Sequence, residues 1–105
     1  MYINIMDTYI LKKSKRDDKR FVLIMEDMGH KHNFGLKGGK TFIDGRTEKE
    51  RQNYIARHKV RENWNKSGIH TAGFWSRWIL WNKPTLKESI KDVEDRFNIK
   101  IINKT

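Results

Sequence analysis

Cysteine is missing from this chain of 105 residues. Its absence excludes disulfide bonds, thiolate metal sites and cysteine redox chemistry, and it permits a reducing compartment. Proline occurs once, and no apolar run approaches the length needed to span a membrane or to form a secretion signal. Hydrophobic residues make up only 36% of the chain, although four tryptophans, five phenylalanines and three tyrosines supply bulky core material. We therefore expect a single soluble domain over residues 1–105, with an N-terminal extension at 1–7.

Positive charge is what the chain has in excess, since 23 lysines and arginines oppose 13 acidic residues and give a net charge of +10. Such an excess is self-repulsive unless a polyanion or an acidic partner neutralises it. The basic residues are spread along the chain rather than set opposite one apolar helical face, which disfavours an anionic membrane as the partner. We expect nucleic acid or an acidic protein surface, with no small-molecule substrate and no membrane insertion.

The N-terminal half has the pattern of short strands. Residues 9–11 and 21–25 are apolar, aromatic or β-branched, and the charged segment 12–20 lies between them, which predicts a β-hairpin with a charged tip. A turn is predicted at 26–29. Short strands should follow around a glycine-containing bend, at His32, Phe34 and Phe42.

The C-terminal half has the pattern of three helices and a strand. Thr47 and Glu50 have capping-box spacing, which predicts a helix that ends near Trp64. A second, buried helix is expected over 72–81, with Thr71 as its cap, because this segment has hardly any polar face. Thr85 and Glu88 repeat the capping-box spacing ahead of an amphipathic third helix, and the alternation over 98–101 predicts a final strand. The expected fold class is α+β: a small antiparallel sheet packed against three helices, in the order βββ, ααα, β.

The candidate binding residues fall on the hairpin and around the helices. The two acids at the hairpin tip, Asp17 and Asp18, would repel phosphate, so any binding there should use the flanks. The alternatives to binding are that the hairpin tip is a solvated turn and that the first helix is a solvated helix with ordinary charge pairs. For the aromatic stripe 74–81, core packing is favoured over base stacking. The candidates for contact with nucleic acid or an acidic partner are Lys12, Lys13, Lys15, Arg16, Lys19, Arg20, Arg46, Arg51, Arg57, Lys59, Arg61 and Arg77.

No catalytic set emerges from the spacing of the reactive residues. The glycines at 35–39 are one residue short of a phosphate-binding loop and precede no helix start, which argues against nucleotide hydrolysis. His30 and His32 would point the same way on a strand and share a metal with His58 or His70, but no spacing fixes the third ligand. A magnesium-dependent nuclease would need clustered carboxylates, for which Glu26, Asp27 and Asp44 are available. We expect no enzyme activity, no metal and no cofactor.

Several motifs resemble a small uncharacterised family encoded by nucleocytoplasmic large DNA viruses of algae and protists, relatives of phycodnaviruses and mimiviruses. They are FGLKG at 34–38, YIARH at 54–58, AGFWSRW at 72–78 and LWNKP at 80–84. The resemblance runs from about residue 9 to residue 101 and implies no catalytic residue. It implies a viral protein of unassigned activity, carried in the particle as a minor capsid or core component.

The sequence and the resemblance together predict a non-enzymatic minor structural protein of a large DNA virus particle. Its basic surface would contact viral DNA or acidic capsid proteins, and it would occur in the virion and in the host cytoplasm during infection. The alternative is a soluble nucleic-acid-binding regulator acting during infection, in which Arg51, Arg57 and Arg61 follow the phosphates.

Overall fold

The computed structural model of the chain describes residues 7–25 and 29–105. Most of the predicted N-terminal extension therefore lies outside the described residues, and Asp7 belongs to the first strand. Of the turn predicted at 26–29, only Gly29 is described, with a φ of 66°. Glycine suits this position because a positive φ strains most other residues.

Within these described ranges, four strands form one sheet in the order β3-β2-β1-β4: β1 (Asp7–Lys13), β2 (Lys19–Met25), β3 (His30–Leu36) and β4 (Ile99–Asn103). The predicted hairpin is confirmed, because β1 pairs antiparallel with β2, as β2 does with β3. The sheet is mixed rather than wholly antiparallel, since β4 runs parallel to β1. A parallel neighbour requires a long crossover, which the helical segment between β3 and β4 provides. Phe42 lies in a 3₁₀ turn, Phe42–Asp44, and not in a strand as predicted.

In the part of the chain that the structure describes, three α-helices follow the first three strands: α1 (Glu48–His58), α2 (Ala72–Trp75) and α3 (Leu86–Phe97). The predicted caps are present, because Thr47, Thr71 and Thr85 each accept a hydrogen bond from the backbone N–H three residues later. After Trp75 the helix continues as a π-helical turn, Ser76–Leu80. Among the described residues, no helix is both long enough and apolar enough to cross a bilayer.

Helix α1 ends at His58 and not near Trp64 as predicted. Its apolar side stops there, since Val60 is 75% exposed and the neighbouring Lys59 and Arg61 are exposed as well. Trp64 instead takes part in tertiary contacts: its carbonyl accepts a hydrogen bond from Trp78 Nε1 at 3.0 Å. Local helical spacing was therefore overridden by burial of the tryptophans.

The core lies between the helices and one face of the sheet. Alternate strand residues, such as Leu11, Leu23 and Ile99, are fully buried there. The aromatic stripe packs against them as predicted, with Phe74 and Trp75 fully buried. The strand residues between these buried positions point away from the helices and form the opposite face of the sheet.

Gly68 is a position where the fold excludes a side chain. It is buried in a 3₁₀ turn, Lys66–Gly68, and a Cβ added there would lie 2.0 Å from the backbone carbonyl oxygen of Asn63. Because backbone atoms cannot rotate away, Gly68→Ala should lower the free energy of unfolding by about 2 kcal/mol. Urea denaturation tests this. Asn65→Ala, at an exposed position in the same turn, should stay within about 0.5 kcal/mol of wild type; equal effects would contradict the steric argument.

Candidate nucleic-acid interface

The face of the sheet opposite the core carries basic and apolar residues in register. Lys12 pairs with Val22, which pairs in turn with Asn33, and Ile24 lies between Ile10 and Lys31. Neighbouring strands are about 4.8 Å apart, so Lys12 and Asn33, two strands apart, are separated by about 10 Å at the backbone. The lysines of β1 and β3 thus flank a short apolar strip contributed mainly by β2.

These residues line an open groove of about 260 Å³. Among the described residues, five that line it are cationic and none is acidic, and Val22 and Ile24 provide the apolar part. We call this surface the basic groove. Its lining residues are Lys12, Lys13, Lys15, Arg16, Val22, Ile24, Lys31 and Asn33.

Hydrogen bonds fix the hairpin end of the basic groove. Ser14 Oγ donates to Asn33 Oδ1 at 2.5 Å and accepts from the Arg16 backbone N–H at 3.1 Å, which ties the turn to β3. Arg16 holds Asp18 through two hydrogen bonds of 3.1 and 3.0 Å. This contact with Arg16 is the main cause that lowers the pKa of Asp18. Neither Asp17 nor Asp18 lines the groove, but Asp18 offsets the charge of Arg16, so within the described ranges the unpaired positive charge of the groove lies on its four lysines.

Lys19 and Arg20 lie on a second surface, together with Lys13 and Lys37. Arg20 binds Asp44 through two hydrogen bonds, of which Nη2–Oδ1 measures 2.8 Å. Asp44 also accepts from the backbone N–H and the hydroxyl of Thr41, each at 2.9 Å. Arg20, a candidate binding residue, is thereby engaged in holding the 3₁₀ turn against β2.

The contacts of Asp44 predict a stability change in acid. Hydrogen bonding to Arg20 first, and then to Thr41, lowers the pKa of Asp44 to about 2 from an ordinary 3.8. The stabilisation is complete above pH 4 and is lost as the pH falls through about 2. Because the side chain is 26% exposed, we expect it to contribute about 1–2 kcal/mol.

Asp44→Asn should therefore be less stable than wild type by this amount at pH 7, and the difference should shrink towards zero at pH 2. Urea denaturation across this pH range measures both quantities. Asp17→Asn, at the exposed hairpin tip, is the control, and its free energy of unfolding should equal that of wild type at every pH in this range. A constant difference between Asp44→Asn and wild type at every pH would contradict the ion-pair account.

The structure assigns three further candidates to contacts within the fold. Arg46 pairs with Glu50, and Arg51 pairs with Glu48 while its Nε donates to the carbonyls of Trp81 and Asn82. Arg77 is only partly exposed. Its guanidinium lies 4.3 Å from the centre of the Trp78 ring, and its Nη1 donates to the Trp81 carbonyl at 3.0 Å. Burial is the main reason that the pKa of Arg77 falls to about 10, and the nearby positive charges of Arg51 and Arg96 add to it.

The remaining candidates, Arg57, Lys59 and Arg61, are exposed on α1 and the turn after it. They form no ion pair within the described ranges 7–25 and 29–105. They belong to the lining of neither the basic groove nor the surface around Lys19. The twelve candidates thus occupy several regions, of which the basic groove gathers four: Lys12, Lys13, Lys15 and Arg16.

Lys31 is the groove cation that the sequence reading missed. The alternation of side chains along β3 already contained this information. Phe34 faces the core, so the odd-numbered residues of this strand must face away from it. Applied to this strand, the alternation places Lys31 and Asn33 on the same side as Lys12. The pairing of β3 with β2, which brings Lys31 next to Ile24, was not readable from spacing alone.

The histidines separate into a group of three and a single residue. His30, His32 and His70 lie together, with ring centres 5.3–6.4 Å apart. Burial is the main cause that lowers the pKa of His32, and the charges of His70 and His30 add to it. His58 lies elsewhere, with Nδ1 2.6 Å from Glu62 Oε2 and its ring stacked on Tyr54.

The carboxylates considered for a nuclease site give no support to that hypothesis. Glu26 and Asp27 lie outside the described residues, and Asp44 is bound to Arg20 and Thr41. Within the described part of the chain, the only close group of three or more potential metal ligands is the histidine cluster, which contains no carboxylate.

Comparison with known proteins gives one similarity. Residues 9–58 match the model of a family of unknown function (DUF5754). No curated protein and no solved structure matches the chain. The matched segment contains β2, β3, α1 and most of β1, and therefore all the residues that line the basic groove.

Proposed function

We propose that the protein is a non-enzymatic nucleic-acid-binding protein that holds the phosphate backbone in its basic groove. The observation that carries the proposal is the gathering of five cations, with no carboxylate among the described lining residues, around one groove that is open on the sheet face opposite the core. Clustered lysines attract phosphates without reading base sequence, because an ammonium group acts as a point charge. Binding should therefore be sensitive to salt and tolerant of sequence.

Double-stranded nucleic acid fits the groove better than a single strand. Proteins that bind single strands usually present exposed aromatic rings on which bases stack. None of the described residues that line the basic groove is aromatic, and its apolar part is Val22 and Ile24. The surface therefore favours contact with the outside of a duplex, where phosphates are accessible and bases are already stacked.

The biological setting that we propose is a minor structural component of a large DNA virus particle, where the groove would contact packaged DNA. The alternative is a soluble regulator acting during infection. The exposed residues Arg57, Lys59 and Arg61 favour that alternative, because they offer a second basic surface on and beside α1. Footprinting separates the two: base-specific protection supports the regulator, whereas uniform protection supports packaging.

A salt series of binding to a labelled DNA duplex tests the proposed function. The logarithm of affinity should fall linearly with the logarithm of salt concentration, with a slope of magnitude about 3–5 if the groove cations each neutralise one phosphate. Two duplexes of unrelated sequence should give the same affinity. Absence of binding at low salt would overturn the proposal and assign the groove to an acidic protein.

A further inference from the structure

The three clustered histidines have the geometry of a metal site. One ring nitrogen from each of His30, His32 and His70 can be chosen so that all three lie within 4.8 Å of one another. In a tetrahedral zinc site with Zn–N distances of about 2.0–2.1 Å, the ligand nitrogens are about 3.3 Å apart. Small rotations about the side-chain torsions would therefore bring the three nitrogens into range.

The fold brings the three residues together from two separate elements. His30 and His32 are two apart on β3, so their side chains emerge on the same face of the strand. His70 lies in the turn before α2, and both of its neighbours are anchored. The Ile69 carbonyl accepts from Trp75 Nε1 at 2.8 Å, and Thr71 Oγ1 donates to the Gly68 carbonyl at 2.9 Å and caps α2.

A second observation points to a ligand at this position. His32 Nε2 is buried and has no hydrogen-bond partner among the described residues. A buried polar atom without a partner costs free energy, and such atoms are rare unless an ion, a water molecule or a functional role accounts for them. A metal ion that His32 binds through this nitrogen would satisfy it. His30 and His70 are exposed, so an ion can enter from solvent.

We propose that His30, His32 and His70 bind a zinc ion. Three imidazole nitrogens without a carboxylate suit a borderline-soft divalent metal and not magnesium or calcium, which prefer oxygen ligands. The exposed side of the cluster leaves the fourth tetrahedral position to water.

The bound ion would fasten β3 to the turn before α2. β3 is an edge strand of the sheet, and its other face carries Lys31 and Asn33 of the basic groove. Zinc binding would thus stabilise the strand that carries one wall of the groove. The site does not depend on the proposed DNA binding, because the histidines lie on the opposite face of β3.

Titration of the full chain, without a polyhistidine tag, with Co²⁺ and then with Zn²⁺ tests the site. We expect one Co²⁺ per chain with the visible absorption of tetrahedral coordination, and displacement of that signal by Zn²⁺. Zinc at a concentration about 100-fold above its Kd should raise Tm by about 10 °C.

Substitution of single histidines tests which residues bind the metal ion. His30→Gln and His70→Gln change exposed residues, should leave the fold intact, and should each weaken metal binding at least about 100-fold and abolish the rise in Tm. His58→Gln is the matched control, since His58 pairs with Glu62 away from the cluster, and it should bind like wild type. Failure of wild type to bind one ion, or equal binding by His70→Gln and wild type, would overturn the proposal.

Discussion

Replacing Lys12, Lys15 and Lys31 together by glutamate should weaken binding to a DNA duplex at least about 100-fold at low salt. These lysines come from β1, the hairpin turn and β3, and all three line the basic groove. The variant removes three phosphate contacts and adds three like charges that repel the backbone. Fluorescence anisotropy with a labelled duplex measures the loss, and the salt slope should fall by about three.

A matched reversal on the other side of the protein separates local contact from net charge. Lys83, Lys87 and Lys91 lie on and just before α3, on a surface that also contains Glu88, Asp92 and Asp95. Their replacement by glutamate changes the net charge by the same amount. We expect this control to weaken binding less than about tenfold, through the general field of the protein. Equal losses in the two variants would mean that DNA does not occupy the groove.

Removal of the Trp75 side chain should have the largest effect on stability. Trp75 is fully buried, lies edge-on to Tyr9 at 6.0 Å between ring centres, and donates Nε1–H to the Ile69 carbonyl. Trp75→Ala should therefore lower the free energy of unfolding by about 3–5 kcal/mol. Small domains have only about 5–15 kcal/mol in total, so a large part of the stability would be lost.

Urea denaturation followed by circular dichroism gives the size of this effect. Leu36→Ala is the control, because Leu36 is 70% exposed and its truncation should cost less than about 0.5 kcal/mol. A Trp75→Ala protein that unfolds at the same urea concentration as wild type would contradict the packing described for the core. It would place the tryptophan stripe at an interface and not in the interior.

Short-range signals in the sequence predicted the elements well. The capping threonines at 47, 71 and 85 each start a helix, and the charged segment at 12–20 contains the hairpin turn. These features depend on residues that are close together in the sequence, so their spacing can be seen without the structure. The end of α1 was not predicted, because the tertiary contact of Trp64 with Trp78 decides it. The 3₁₀ turn at Phe42 was missed although Thr41 and Asp44 have the spacing of a local cap, and the contact of Asp44 with Arg20 then holds this turn against β2.

The candidate sites were predicted only in part because their members come from distant parts of the chain. Lys12, Lys13, Lys15 and Arg16 lie close together in sequence and were named as candidates, whereas Lys31 joins them through strand pairing. For the histidine cluster, two ligands were readable from β3, but the fold chooses His70 over His58. From the sequence, Arg51 and Arg77 were predicted to be surface charges that contact a partner. In the structure, each donates a hydrogen bond to the Trp81 carbonyl.

The most direct test of the central claim is a nuclear magnetic resonance titration of the isotope-labelled protein with a DNA duplex. The account predicts that the largest amide shifts occur at Lys12, Val22, Lys31 and Asn33, and that α3 signals stay unchanged. Shifts confined to α1 and the turn after it, around Arg57 and Arg61, would contradict the groove as the binding surface.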